Sequence, residues 1–121
     1  EISACLVGSE MCIRDRVDTV LKMMERDRIT EHVKEITPYL EQKLDALVEK
    51  YDFLTARRGL GLMQGVVCEK PVGKIASAAL EHGLVVITAG ADVLRFVPPL
   101  IIGKEHVDEM AEKLDAVLAE M

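Results

Sequence analysis

The sequence predicts a small α/β (α+β) domain in which helices pack against one side of a mixed or antiparallel sheet. Apolar residues recur at helical spacing in separate stretches, and short strand-like runs bounded by glycine or proline lie between them. Hydrophobic residues make up 50% of the 121 and aromatic residues only 3%, so the core is expected to be aliphatic. Strands with helices on one side are typical of a two-layer domain.

The first predicted helix is short and amphipathic, and residues 1–16 precede it without a linker. This leader has no helical period and no cap signal, and a back-translation of Leu6–Asp15 resembles a sequencing adapter. We therefore interpret residues 1–16 as a non-native leader, which recovery of the same codons from unamplified genomic DNA would overturn. The alternative is a genuine disordered or short β-like leader. The apolar stripe of the helix itself comprises Val17, Val20, Leu21 and Met24.

The second predicted helix runs from Thr30, as its N-cap, to about Lys50. Pro38 lies inside it. Because a proline within a helix removes a hydrogen bond and bends the axis, we expect a kink at Pro38 or a break near Thr37. The apolar face of this helix comprises Val33, Ile36, Leu40, Leu44, Leu47 and Val48.

Two strands, Leu54–Arg57 and Leu62–Glu69, follow and are divided by Gly59 and Gly61. Glycine inside strand-like sequence indicates a bulge or a close backbone approach. Arg58 lies at this point, and a structural salt bridge at the sheet edge is its favoured interpretation. The alternatives are a role in orienting a carboxylate or an interdomain contact. The glycines lack the spacing of a dinucleotide fingerprint and precede a strand, so we reject a Rossmann fold.

The second half of the chain predicts two further helices on either side of two short buried strands. The glycine after the third helix is its expected C-terminal stop, and the two strands are joined by a tight turn. In chain order these elements are a helix at Gly73–His82, the stop at Gly83, a strand at Leu84–Ile87, a turn at Thr88–Asp92, a strand at Val93–Val97 and a helix at about Lys104–Met121. The residues expected to face inward are Ile75, Ala76, Ala79 and Leu80 in the third helix, and Val107, Met110, Leu114, Val117 and Leu118 in the fourth.

Arg95 is the one charged residue in the apolar run Val93–Leu100. Burying an unpaired charge costs on the order of several kcal/mol, so a position between Leu94 and Phe96 predicts a carboxylate partner. Asp92 cannot be this partner, because it lies three positions before Arg95 and odd and even positions of a strand face opposite sides. The partner is therefore expected to come from a substrate or from another part of a larger protein.

The cysteine and histidine patterns predict neither a disulfide framework nor a metal site. With the leader set aside, Cys68 is the remaining cysteine, and its strand context predicts a small buried side chain rather than a reactive thiol. His32, His82 and His106 each follow a glutamate on a predicted helix. We interpret all three as surface residues, because no two have the spacing of a ligand pair.

The net charge of −6 disfavours nucleic acid and anionic membrane as partners, since both favour basic surfaces. No apolar run approaches the roughly 20 residues that a membrane-spanning helix needs, and the leader lacks the order of a signal peptide. A cytoplasmic protein is expected.

Two motifs resemble the class-III, pyridoxal-phosphate-dependent aminotransferases. Arg57–Gly65 (RRGLGLMQG) is similar to the family's Arg-Gly-x-Gly-Leu-Met-x-Gly strand. Val93–Leu100 (VLRFVPPL) is similar to its Leu-Arg-Phe-x-Pro-Pro-Leu run. The preceding segment Leu84–Gly90 (LVVITAG) ends in a Thr-Ala-Gly turn that resembles the branch acting on N-acetylornithine. The resemblance covers Val17–Met121.

The resemblance implies the C-terminal small domain of a fold-type I enzyme. Residues 17–28 would be a helix leaving an absent large domain, and residues 29–121 the small domain. The implied cofactor is pyridoxal 5′-phosphate, the implied substrates are an amino donor and 2-oxoglutarate, and the implied full-length assembly is a homodimer. The family's cofactor lysine lies upstream of Val17, so no catalytic or cofactor-binding residue is assigned and the fragment alone is expected to be inactive.

By the same resemblance, Arg95 matches a family arginine that faces the active site and pairs in turn with a glutamate or a substrate carboxylate. It is therefore a candidate substrate-binding residue for 2-oxoglutarate or glutamate, because the arginine fork matches a carboxylate plane. A permanent interdomain salt bridge is the alternative role. The alternative activities are transamination of ornithine, succinylornithine or 4-aminobutyrate, or a stand-alone α/β module that binds an acidic ligand.

Overall fold

The computed structural model describes the backbone of residues 2–121 and the side chains from residue 11 onward. The chain divides into two compact units, Glu1–Glu31 and His32–Met121. The elements in chain order are α1 (Ile2–Arg26), α2 (Ile29–Lys50), β1 (Leu54–Leu60), β2 (Met63–Cys68), α3 (Val72–Glu81), β3 (Ile87–Ala89), β4 (Val93–Phe96) and α4 (Lys104–Ala119).

Helix α1 is longer than the apolar pattern predicts, because it begins at Ile2 rather than at Val17. It contains no proline, and a helix that has nucleated adds further residues at little cost. Residues 2–16 of the expected leader are therefore helical, whereas Glu1 lies outside the described residues. Val17, Val20 and Leu21 of the predicted stripe are each more than half exposed.

Helix α2 runs through Pro38 without interruption, so the break expected near Thr37 does not occur. The Thr37 hydroxyl donates a hydrogen bond of 2.6 Å to the carbonyl oxygen of Val33, one helical turn earlier. The predicted apolar face is confirmed, and its buried residues are Ile36, Leu40, Leu44 and Leu47.

The start of α2 differs from the prediction. The helix begins at Ile29, directly after Arg28, whose φ of 50° turns the chain. Thr30 consequently lies in the first turn rather than at the N-cap, and its hydroxyl donates a hydrogen bond of 3.1 Å to the Glu31 carboxylate.

The four strands form an antiparallel sheet in the order β1-β2-β4-β3, with helices supplying the other layer of the core. The two-layer α/β fold is thereby confirmed. Buried side chains from the inner face of the sheet and from α2, α3 and α4 belong to one aliphatic cluster that includes Leu44, Val66, Ile75, Leu94, Leu114 and Val117.

Strands β1 and β2 form a hairpin with the two-residue loop Gly61-Leu62. Gly61 has a φ of 58°, as the first loop position of a type II′ turn requires. A Cβ at Gly59 would collide with the carbonyl oxygen of Met63 and lie 2.6 Å from Oε1 of Gln64. The predicted close backbone approach is therefore confirmed at Gly59.

The irregularity in the β1–β2 ladder lies away from the glycines. Leu54 pairs with Cys68 and Ala56 pairs with Val67, so one extra residue of β1 is accommodated at Thr55. The register is continuous at the glycines, so the expectation of a bulge there is wrong, and the only register shift of this ladder falls near the start of β1.

Strand β3 begins three residues later than predicted. The helix stop at Gly83 is confirmed by its φ of 72°, and the backbone N–H of Leu84 donates a hydrogen bond of 2.8 Å to the carbonyl of Ala79. Leu84 thereby completes the C-terminal turn of α3 and is not available to a strand. Leu80 is 63% exposed, so its predicted burial is wrong.

Candidate carboxylate-binding site

Arg95 lies on the outer face of the sheet. Leu94 and Phe96 are buried in the core, whereas Arg95 between them is exposed. The expectation that its charge is buried is therefore wrong, because alternate residues of a strand face opposite sides and the apolar neighbours point the other way. The guanidinium is free to meet a ligand from solvent.

Asp92 does not pair with Arg95 within the part of the chain that the structure describes, as strand parity predicted. It lies in the turn between β3 and β4, where its backbone carbonyl accepts a hydrogen bond of 2.7 Å from the N–H of Cys68.

Arg58 is a second exposed arginine on the outer face. The strand register pairs Arg58 of β1 with Gly65 of β2, and Gly65 in turn with Arg95 of β4. Directly opposed residues of a sheet share a face. The two arginines therefore stand on the same side of the sheet, in one row across three strands with a glycine between them.

Both arginines line one open concavity, and the other lining residues are Gly59, Leu60, Met63, Gln64, Gly65, Ala89 and Val93. None of these residues carries a carboxylate. Neither Arg58 nor Arg95 makes a hydrogen bond or ion pair with any residue whose side chain is described. The concavity therefore presents two uncompensated positive charges among mainly apolar side chains.

Arg57 makes the structural salt bridge that the sequence pattern assigned to Arg58. Its Nε and Nη2 donate hydrogen bonds of 2.6 and 3.1 Å to the two oxygens of Asp45, and its Nη1 donates one of 3.1 Å to Glu41. These bonds, those to Asp45 first, raise the pKa of the Arg57 guanidinium. Because Arg57 and Arg58 are consecutive in a strand, Arg58 faces away from these acids.

The Arg57 network also holds the hairpin in place. Gln64, only 1% exposed, accepts a hydrogen bond of 3.0 Å from Nη1 of Arg57. Its side-chain amide donates hydrogen bonds of 3.3 Å to Glu41 and 2.7 Å to the carbonyl of Gly61. Acids of α2 are thus joined to both strands of the hairpin, which fixes the strand positions that carry the outer row.

Gly65 is the member of the site that sequence reasoning missed. Its place is set by the pairing of β2 with β4, which a single sequence does not specify. A Cβ at Gly65 would lie 3.0 Å from Cγ1 of Val93, so its absence keeps the middle of the row open. The sequence did carry a signal for Arg58. Consecutive side chains of a strand face opposite sides, so only one of Arg57 and Arg58 can face the acidic residues of α2.

The remaining candidate groups build no second site. Cys68 is buried, and His82 and His106 are exposed, as predicted. His32 is half-buried, contrary to prediction, with Nε2 at 2.8 Å from the carbonyl oxygen of Ile102. Across the described residues, no group of His, Cys, Asp and Glu could hold a metal ion. In the same part of the chain, no helix has both the length and the apolarity to cross a membrane.

Comparison with known families gives one extended match. Residues 13–118 match the family model described as aminotransferase class-III. The matched region includes all four strands and both arginines of the outer row.

Curated relatives are similar over the same region. The acetylornithine aminotransferase of Methanocaldococcus jannaschii is 38% identical over 105 residues, which are 87% of this chain and 25% of the relative. That of Parasynechococcus marenigrum is 39% identical over 108 residues, or 85% of this chain and 26% of the relative. The chain thus spans about a quarter of the length of the curated relatives it matches.

Solved structures share the fold. An N-acetylornithine aminotransferase from Stenotrophomonas maltophilia superposes with a TM-score of 0.72 at 35% identity, covering 77% of this chain and 27% of that one. A lysine aminotransferase from M. tuberculosis superposes with a TM-score of 0.82, covering 87% of this chain and 25% of that one. At 24% identity, the second likeness shows the fold alone.

Proposed function

The chain belongs to the class-III aminotransferases, and we propose that it is the C-terminal small domain of an enzyme that transfers the amino group of N-acetylornithine to 2-oxoglutarate. The identity of 38% and 39% to two acetylornithine aminotransferases supports this amino donor. The Thr88-Ala89-Gly90 segment, which ends β3 and begins the β3–β4 turn, supports the same assignment. The whole protein is proposed to be a cytoplasmic homodimer.

The proposed role of Arg95 is to bind a substrate carboxylate. The observation that carries this role is its position, exposed and without a partner among the described residues, in a concavity that contains no acid. A planar guanidinium can donate two parallel hydrogen bonds to one carboxylate, which a lysine ammonium cannot match. Arg95 would therefore orient 2-oxoglutarate or glutamate rather than only attract it.

Pyridoxal 5′-phosphate is the proposed cofactor of the whole enzyme, where it would supply an electron sink for amino-group transfer. The residues of this chain do not fit a site that holds it, because no lysine lines the concavity. Several lysines are instead paired with acids of the fold, Lys43 with Asp108 and Lys50 with Asp115 among them. We therefore assign the cofactor site to residues outside this chain.

Two other functions would use the same concavity. Another class-III donor, such as ornithine, succinylornithine or 4-aminobutyrate, would use the same Arg95 and differ in residues beyond this chain. A stand-alone module that binds an acidic ligand would use the same concavity without transamination. The exposed apolar side chains beside the arginines favour a domain whose outer face is covered in a longer protein, Leu60 being 88% exposed.

The role of Arg95 can be tested in a full-length enzyme that carries residues 17–121 as its C-terminal domain. We expect Arg95→Lys to raise the KM for 2-oxoglutarate by roughly tenfold, the effect of losing about 1.4 kcal/mol of binding, with little change in the KM for the amino donor. The control is Lys74→Gln, which removes an exposed positive charge from α3. Unchanged kinetics for Arg95→Lys would refute the role, and a preference for ornithine over N-acetylornithine would refute the donor.

A further inference from the structure

We propose that the peptide unit between Ile102 and Gly103 is a pH-sensitive latch, held at its two ends by histidines that respond differently to protonation. Nε2 of His32 in α2 lies 2.8 Å from the carbonyl oxygen of Ile102. The backbone N–H of Gly103 donates a hydrogen bond of 3.0 Å to Nδ1 of His106 in α4. This carbonyl and this N–H belong to one rigid peptide plane and point in opposite directions. The two helices therefore hold the same group from opposite sides.

The partners fix the protonation of each ring. A carbonyl oxygen only accepts, so Nε2 of His32 carries a proton; a backbone N–H only donates, so Nδ1 of His106 carries none. His106 is therefore neutral when the latch is formed. A protonated imidazole has a donor at both nitrogens and no acceptor. Proton uptake thus leaves the bond from His32 in place and breaks the bond to His106.

A second partner for the protonated ring lies beside it. Nδ1 of His106 is also 3.4 Å from Oε1 of Glu105. A proton on Nδ1 would be donated to this carboxylate in a charge-assisted hydrogen bond, so protonation exchanges the N–H of Gly103 for the carboxylate of Glu105. Gly103 is the N-cap of α4 and has no side-chain oxygen for the first turn. His106 therefore supplies the side-chain part of the cap.

The other charged groups of α4 near His106 already have partners. These pairs are Glu109 with Lys113, Asp108 with the Tyr39 hydroxyl, and Lys104 with the Tyr39 ring. The described side chains of other elements that border a concavity beside His106 are apolar, namely Leu40, Leu84, Val85, Phe96 and Val97. Across the peptide unit, the titratable group from α2 is His32. Glu105 is therefore the acid that meets the protonated ring.

The latch fixes the point at which the chain enters α4. Residues 97–102 lead from β4 to this helix, and Ile102 packs against the core. Because His32 can donate to Ile102 in either charge state, acidification leaves the core side of the peptide unit in place. The change is confined to the N–H of Gly103 and the first turn of α4.

The test is an NMR titration of the 121-residue chain from about pH 8 to about pH 5, the range in which histidines change charge. We expect the amide signal of Gly103 to titrate together with the ring of His106. The protection of this amide against hydrogen exchange, corrected for the intrinsic rate, should fall about threefold to tenfold, the effect of losing one cap hydrogen bond. His106→Gln keeps an acceptor that does not titrate, so it should make the Gly103 signal independent of pH. The control is His82→Gln, an exposed histidine of α3, which should leave the titration unchanged.

Each outcome decides between the latch and its absence. A Gly103 amide that does not follow the His106 ring in the unmodified chain would overturn the proposal, and that measurement needs no variant to fold. The same titration persisting in His106→Gln would assign it to another group. His32→Gln retains an N–H donor and should keep the response of Gly103, whereas its loss would refute the different roles of the two histidines. The proposed role of Arg95 is independent of all these results.

Discussion

Two adjacent arginines, Arg57 and Arg58, have opposite roles because a strand sends consecutive side chains to opposite faces. Arg57 is enclosed by Asp45, Glu41 and buried Gln64, so it is part of the packing. Arg58 meets none of these groups and is exposed on the outer face. Charge alone does not distinguish the two residues, whereas their partners do.

This contrast predicts different stability effects for the same substitution. Arg57→Ala should lower the free energy of unfolding by about 1–3 kcal/mol, because it leaves the buried Gln64 amide with an unsatisfied oxygen. Arg58→Ala is the matched control, and it should change that free energy by no more than about 0.5 kcal/mol. Urea denaturation of the two variants measures the difference. Equal losses would show that Arg58 also has a structural role.

Among the elements, α2 and α4 are joined by two polar clusters at the edge of the core. Asp108 of α4 accepts a hydrogen bond of 2.7 Å from the Tyr39 hydroxyl and lies 2.8 Å from Nζ of Lys43. Asp115 likewise meets Lys50 at 2.6 Å and the Tyr51 hydroxyl at 2.8 Å. Hydrogen bonds from the lysines, and then from the tyrosines, lower the pKa of both aspartates.

The lowered pKa values give stability a definite pH dependence. The ionised form of each aspartate is stabilised more in the folded chain than in the unfolded chain. The contribution of these two groups to folding stability is therefore fully present above the ordinary aspartate pKa of about 4. It is lost as the pH falls through the lower pKa of the folded state. Urea midpoints measured from pH 7 down to pH 3 should therefore fall less steeply for the double variant Asp108→Asn/Asp115→Asn. A parallel fall in both proteins would contradict this assignment.

The elements also differ in how far the sequence predicts them. In a long amphipathic helix such as α2, the apolar residues recur at helical spacing on both sides of the proline. The buried face of α2 was therefore predicted correctly despite Pro38. Short strands have too few residues to carry a period. Strand β3 starts at Ile87 rather than at Leu84, whose N–H donates a hydrogen bond to the carbonyl oxygen of Ala79 at the end of α3.

For the whole molecule, the outer face of the sheet is a surface on which several large apolar side chains are exposed. Leu60 is 88% exposed, Met63 59% and Ile87 46%. The family and the fold followed from local motifs and periodicity. The geometry of the site did not, because the row from Arg58 through Gly65 to Arg95 depends on pairing between distant strands.

This surface predicts self-association of the isolated chain. Analytical ultracentrifugation should show a mass that rises with protein concentration, because burying an exposed leucine side chain gains about 1.5–3 kcal/mol. The variant Leu60→Lys/Met63→Lys should weaken association by at least about tenfold. Leu80→Lys, an equally apolar exposed position on α3, is the control and should have a smaller effect. A monomer at all concentrations would favour the stand-alone module instead.

Strand β4 pairs with β2 although helix α3 and strand β3 lie between them in the chain. The hairpins β1–β2 and β3–β4 are each closed by a short loop, whereas the β2–β4 ladder closes a much longer one and carries a larger entropic cost of closure. Neither hairpin alone contains both Arg58 and Arg95. The row of three residues therefore exists only when the most non-local ladder of the sheet has formed.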